Sequence, residues 1–161
     1  MCPAPGGVTL LASRAMVAIF AKWPAMSGVI SFPKLPADCP PTDAAEATID
    51  AAYLFCYSVP VTKADFIPLA ESGATRPLRS KEKQCQACGI SLYLELRDAQ
   101  NLANDIPKFR EMILVSIELT PEDGVLKRTS THDRPSHHTL WQYGDAPFRD
   151  SVRVVQSGSI E

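Results

Sequence analysis

"MILVSIELTPEDGVLKRTS", residues 112 to 130, decides how the rest of the chain is read. Its first part, Met112 to Leu119, is an almost continuous apolar run of strand length, the pattern of a strand buried inside a sheet. "TPEDG" then has the composition of a tight turn, because proline presets one backbone angle and glycine tolerates another. "VLKRTS" (Val125 to Ser130) resumes as a second strand.

Working outward, "AYLFCYSV" (Ala52 to Val59) is short and aromatic-rich, and reads as a strand upstream of this pair. "TKADFIPLAESG" follows, with Thr62 and Asp65 at capping-box spacing. The helix it starts is short or kinked at Pro68, with Gly73 as a stop. "GISLYL" (Gly89 to Leu94) is a further strand, and "LRDAQNLAND" (Leu96 to Asp105) a helix closing before Ile106-Pro107. "HHTLWQY" (His137 to Tyr143) and "SVRVVQ" (Ser151 to Gln156) complete the set. The expected fold is α+β: a single mixed or mainly antiparallel sheet of about six strands with two or three helices.

Eight of the fourteen prolines fall in residues 1–60. "FPKLPADCPPTD" (Phe32 to Asp43) therefore cannot be a continuous helix, and reads as a linker or an extended strap over the surface. The expected organisation is an N-terminal extension over 1–48 with one helix and this Pro-rich stretch, a compact α+β domain over 49–157, and a tail over 158–161. "GGVTLLASRAMVAIFAKWPAMSG" is interrupted by Arg14 and Lys22, so no run reaches the ~18 apolar residues of a spanning helix. Arg14 also lies inside the apolar stretch, where a signal peptide would carry its charge ahead of it.

The formal net charge of −2 and the pI of about 5.9 make no electrostatic case for nucleic acid or an anionic membrane surface. "RPLRSKEKQ" (Arg76 to Gln84) is the one local basic run, and reads as a solvated loop. Five cysteines, an odd number, argue against a disulfide framework and for a reducing, cytoplasmic setting. Neither a partner nor an oligomeric state follows from the pattern.

Two constellations carry chemistry. In "CQACG", Cys85 and Cys88 are spaced as two thiolates that can reach one ion. With His132 and His137 they make a C-x2-C and H-x4-H set suited to tetrahedral zinc. The 43 residues between Cys88 and His132 exceed the ~12 to 15 of a zinc finger, so zinc requires tertiary convergence.

The second constellation is "HDRPSHHTLW" (His132 to Trp141), which holds all three histidines. Adjacent His137 and His138 on a strand point to opposite faces. With Thr139 they form one H-x-T unit, half of the pair that 2H-type phosphoesterases use for proton transfer and phosphate binding. His137, His138 and Thr139 are the candidate catalytic residues. Trp141 and Tyr143 read as core packing rather than a stacking platform.

"YLFCYSVPVTKADF" (Tyr53 to Phe66), "GISLY" (Gly89 to Tyr93) and "SHHTLW" (Ser136 to Trp141) together resemble a group of small bacterial proteins. Their shared segments are P-x-T-x-x-D-F, G-V-S-V/L-F/Y and H-Y/H-T-L-W. The resemblance implies a compact bacterial domain and brings no activity with it. It also implies no cysteine pair before the G-V-S strand, and places any common site at His138, Thr139 and Trp141. The layout around Tyr53 and Ser91 is similar at fold level to ADP-ribosyltransferases, though no catalytic glutamate carries a motif here.

Three functions are therefore expected in order. The first is an interaction or ligand-binding module. The second is a zinc-stabilised domain. The third is a nucleotide- or phosphoester-directed enzyme centred on the HHT strand.

Overall fold

In β3 (Ile113–Leu119), the alternating contacts of an unbroken apolar run place Val115, Ile117 and Leu119 on one side of a sheet and Leu114 on the other. The computed structural model describes residues 32–73, 78–146 and 152–156. The expected N-terminal helix lies outside these residues, as does Ser151 of the last expected strand.

The remaining elements are β1 (Ile49–Cys56), α1 (Lys81–Ala87), β2 (Ile90–Tyr93), α2 (Leu96–Asp105), α3 (Pro107–Arg110), β4 (Gly124–Arg128), β5 (His137–Gln142) and β6 (Arg153–Gln156). All strand pairings are antiparallel, in the order β4-β5-β2-β1-β3-β6. The expected α+β sheet of six strands is thus present. Among the described residues, no helix is long and apolar enough to cross a membrane.

The two sheet faces differ. On the helical face, Tyr53, Phe55, Tyr93 and Leu114 pack with Ala99 and Leu102 of α2 and with Phe109 of α3. The Phe55 and Phe109 rings meet at 4.9 Å. α1 is held there by Trp141 of β5, whose indole N–H donates to Cys85 O at 2.9 Å. On the opposite face, Ala52, Leu54, Leu92, Val115, Ile117 and Leu140 form the larger apolar cluster, and Val61 and Phe66 join it.

Local chemistry fixes the connections. The segment after β1 makes a single 3-10 turn, Lys63–Phe66, where a helix short or kinked at Pro68 was expected; Pro68, with no N–H to offer, stops it. The Asp65 carboxylate accepts from Tyr57 N–H at 2.6 Å, Thr62 N–H at 2.7 Å and the Thr62 hydroxyl at 3.1 Å. Burial opposes its ionisation, but these donors outweigh it and hold the carboxyl below its ordinary range. α2 is tied to the start of β5 by buried Asp98, which accepts Ser136 N–H at 2.7 Å, while Ser136 Oγ accepts Glu95 N–H at 3.2 Å.

The "TPEDG" turn is closed by Asp123, whose carboxylate accepts Thr120 N–H at 2.6 Å. Gly124 follows with φ +146, and a Cβ there would lie 2.1 Å from Trp141 O. Only glycine fits both the backbone angle and the approach of β5.

The Pro-rich stretch is a strap fastened at several points. Cys39 is bonded to Cys85 of α1, Ala45 makes an antiparallel bridge to Leu126, and Asp43 pairs with Lys127 at 2.8 Å. This corrects the expectation that the cysteines stay unpaired. The odd count hid one bond, because sequence spacing says nothing about which thiols the fold brings within reach. α1 is the other correction: the basic run was read as loop, yet Ser80 caps a helix by accepting Lys83 N–H at 3.2 Å.

Candidate functional site

β5 distributes "HHTLWQ" by strict alternation. His137, Thr139 and Trp141 face the helices, while His138, Leu140 and Gln142 face the opposite side, so the two adjacent histidines do diverge.

His137 is a packed residue. Its ring lies on Tyr93 with centroids 5.2 Å apart. Its Nδ1 is 3.0 Å from Thr129 O, which can only accept, so Nδ1 carries the proton. Burial lowers its pKa, outweighing the Thr129 carbonyl that works the other way, and nearby His138, Lys83 and Arg134 add to the lowering. Thr139 is 1% exposed, and its hydroxyl is 2.8 Å from that of Thr129. Its methyl sits where a Cβ on Gly89 would fall, which explains the glycine after Cys88. His132 stands in the exposed loop beside Asp133, with Nδ1 to Oδ1 at 3.2 Å.

His138 is placed differently. Its Nδ1–H donates to Ser136 O at 2.8 Å, so in the neutral ring Nε2 is the acceptor. Directly across the strand pair stands Arg128, whose Nε–H is held by Pro135 O at 2.9 Å. Both line a cleft of about 430 Å³ between the strap and the sheet, shared with Lys127, Asp43, Glu46 and Leu126. The hydrogen bond from Lys127 holds the Asp43 carboxyl below its usual range. The cleft therefore offers an oriented imidazole and a guanidinium beside a neutralised ion pair.

A second cavity of about 230 Å³ opens on the same face. Leu54, Phe66, Leu92, Ile117 and Leu140 supply its apolar wall, while Lys63, Gln142 and Tyr143 add polar groups. Leu140 of this wall is the direct cross-strand partner of Leu126 in the cleft, so one leucine pair divides the two spaces. Tyr143 links them further: its hydroxyl donates to Glu46 Oε1 at 2.7 Å. Burial, and then Glu46, push that phenol up to about 12. The Tyr143 ring also packs on Phe32, centroids 5.1 Å apart.

The zinc set of Cys85, Cys88, His132 and His137 is not assembled. The Cys85 sulfur is spent on Cys39, and His137 is enclosed by Tyr93 and Thr129. Among the described residues no group of three or more His, Cys, Asp or Glu side chains is placed to hold a metal. Cys88 keeps a free, half-buried thiol, raised by burial and by Glu71. Cys56 is free and buried, and burial with Asp65 pushes it up to about 12.

Asp43, Glu46, Lys63 and Arg128 were not anticipated as site residues. The first two sit in the N-terminal extension expected over 1–48. Arg128 meets His138 only once the order β4-β5 is known, and "VLKR" against "HHTL" alone does not fix that register. Comparison of the chain with protein-family models, with curated proteins and with solved structures gives no match.

Proposed function

We propose that this chain is a ligand-binding module that takes a small, mainly apolar molecule into the cavity on the sheet face opposite the helices. The cavity itself carries the reading. Protein interiors leave few voids larger than a water molecule, whereas this one measures about 230 Å³ and is walled by leucine, isoleucine and phenylalanine. An apolar cavity of about 150 Å³ already accepts benzene, so this volume suits a fused aromatic ring or a short acyl chain. Lys63 would receive a carboxylate or carbonyl at one end of such a ligand.

The test uses naphthalene-2-carboxylate as probe in thermal unfolding. At about a hundredfold excess over its Kd the probe stabilises the fold by about 2.7 kcal/mol. Leu140→Phe, which fills the wall, removes the shift while near-ultraviolet circular dichroism shows a folded protein. An unchanged melting temperature in the unmodified chain, at millimolar probe, ends this reading.

The His138–Arg128 pair favours a second reading, a phosphoester-directed enzyme in which Nε2 of His138 takes a proton and Arg128 holds the anion. It predicts hydrolysis of bis(4-nitrophenyl) phosphate that falls by about 10²-fold or more in His138→Ala. Equal rates in both proteins would remove it.

The disulfide bears on localisation as well. A reducing cytoplasm would keep Cys39 and Cys85 as thiols, so the bond supports an oxidising compartment instead.

A further inference from the structure

α1 ends on two cysteines, and each has a different partner in the fold. Cys85 lies in the final turn and is bonded to Cys39 of the strap, with Cα atoms 5.5 Å apart. Cys88 is the C-cap residue, and its N–H donates to Cys85 O at 3.0 Å. A helical turn sets residues three apart side by side, with Cα atoms about 5 Å from each other. That backbone spacing falls in the range that a disulfide spans, about 4.4 to 6.8 Å between Cα atoms. Cys85 therefore has one cysteine bonded to it and a free one a helical turn away along the backbone.

We propose that Cys39, Cys85 and Cys88 form a thiol–disulfide exchange site, served by low-molecular-weight monothiols, that transfers the bond at Cys85 from Cys39 to Cys88. This goes beyond the ligand-binding reading and does not depend on it. In the direct step the Cys88 thiolate attacks the Cys85 sulfur. The Cys85–Cys88 bond forms as Cys39–Cys85 breaks, and the electron pair leaves on the Cys39 sulfur. Cys39 gains a proton from water, and Cys88 has given one up, so nothing is oxidised or reduced overall.

A small thiolate reaches the same product in two displacements. It first attacks the Cys85 sulfur and expels Cys39, then is itself expelled by Cys88, and so acts as a catalyst. Cys39–Cys85 is the bond present in the structure, and Cys88 is the free thiol, raised by burial and by Glu71.

The surroundings suit such a transfer. The Cys85 carbonyl is held by the Trp141 indole whichever sulfur its side chain bonds, so α1 keeps its place. The strap loses only its covalent tie. Its ion pair from Asp43 to Lys127 and its bridge from Ala45 to Leu126 persist, so the segment loosens at Cys39 and remains seated along β4.

The experiment treats the full chain with catalytic reduced glutathione, traps thiols with N-ethylmaleimide and maps peptides without reduction. The expected product carries alkylated Cys39 and an internal bond in the peptide that holds Cys85 and Cys88. In Cys88→Ser, whose native bond is intact, trapping of Cys39 falls to background. An unchanged Cys39–Cys85 bond overturns the proposal, as does a Cys39–Cys88 linkage. It is also overturned if Cys39 is trapped only in molecules where Cys85 and Cys88 are both alkylated, or if it is trapped as readily in Cys88→Ser.

Discussion

Replacing Cys39 by serine lowers the unfolding free energy by about 4 kcal/mol, and urea titration shows it as an earlier midpoint. The size comes from the chain closed by the bond. Cys39 and Cys85 are 46 residues apart, so the cross-link removes many conformations from the unfolded ensemble. Small domains hold only about 5 to 15 kcal/mol in total, and this single bond is a large share of that. Reductant should move the unmodified protein to nearly the same midpoint and leave Cys39→Ser where it is. If reductant shifts both equally, or neither, the strap bond contributes no stability of this kind.

Trp141→Ala costs about 3 to 5 kcal/mol, the range for deleting a buried aromatic side chain. Trp141 is 1% exposed, and two contributions meet in it. The ring fills the space under α1, and its N–H is the donor to Cys85 O. Trp141→Phe separates them: most of the packing survives, while the carbonyl loses its partner, at about 1 to 3 kcal/mol. Guanidinium unfolding of both variants should therefore rank unmodified protein, Phe and Ala in that order. A Phe variant as unstable as Ala would mean that the hydrogen bond dominates; an Ala variant within about 1 kcal/mol of the unmodified protein would remove Trp141 from the core account.

The elements were legible where one physical signal dominated. Met112 to Leu119 could only be a buried strand, and "LRDAQNLAND" matches α2 residue for residue because Pro107 blocks its continuation. α1 escaped because its charged residues suggested a loop, although Ser80 before "KEKQCQA" carries a start signal and Gly89 lies just past its end. The site was legible only in part. Alternation correctly parted His137 from His138, but could not say which face held a cavity. The disulfide and the Arg128–His138 pair join residues from separate elements, and such meetings depend on strand order and on where the strap lies.

The two rims of the sheet are guarded unequally. At β4 the strap occupies part of the rim through Ala45, whereas β6 carries exposed Val154 and Val155, and no strand pairs with its outer side among the described residues. In the vocabulary of polymer chemistry, the strap caps one end of the sheet, because Ala45 already exchanges both backbone hydrogen bonds with Leu126. Removing the strap from β4 would uncap that end, and an uncovered strand edge is a template on which another chain can grow. The strap then acts as a chain terminator as well as a cover.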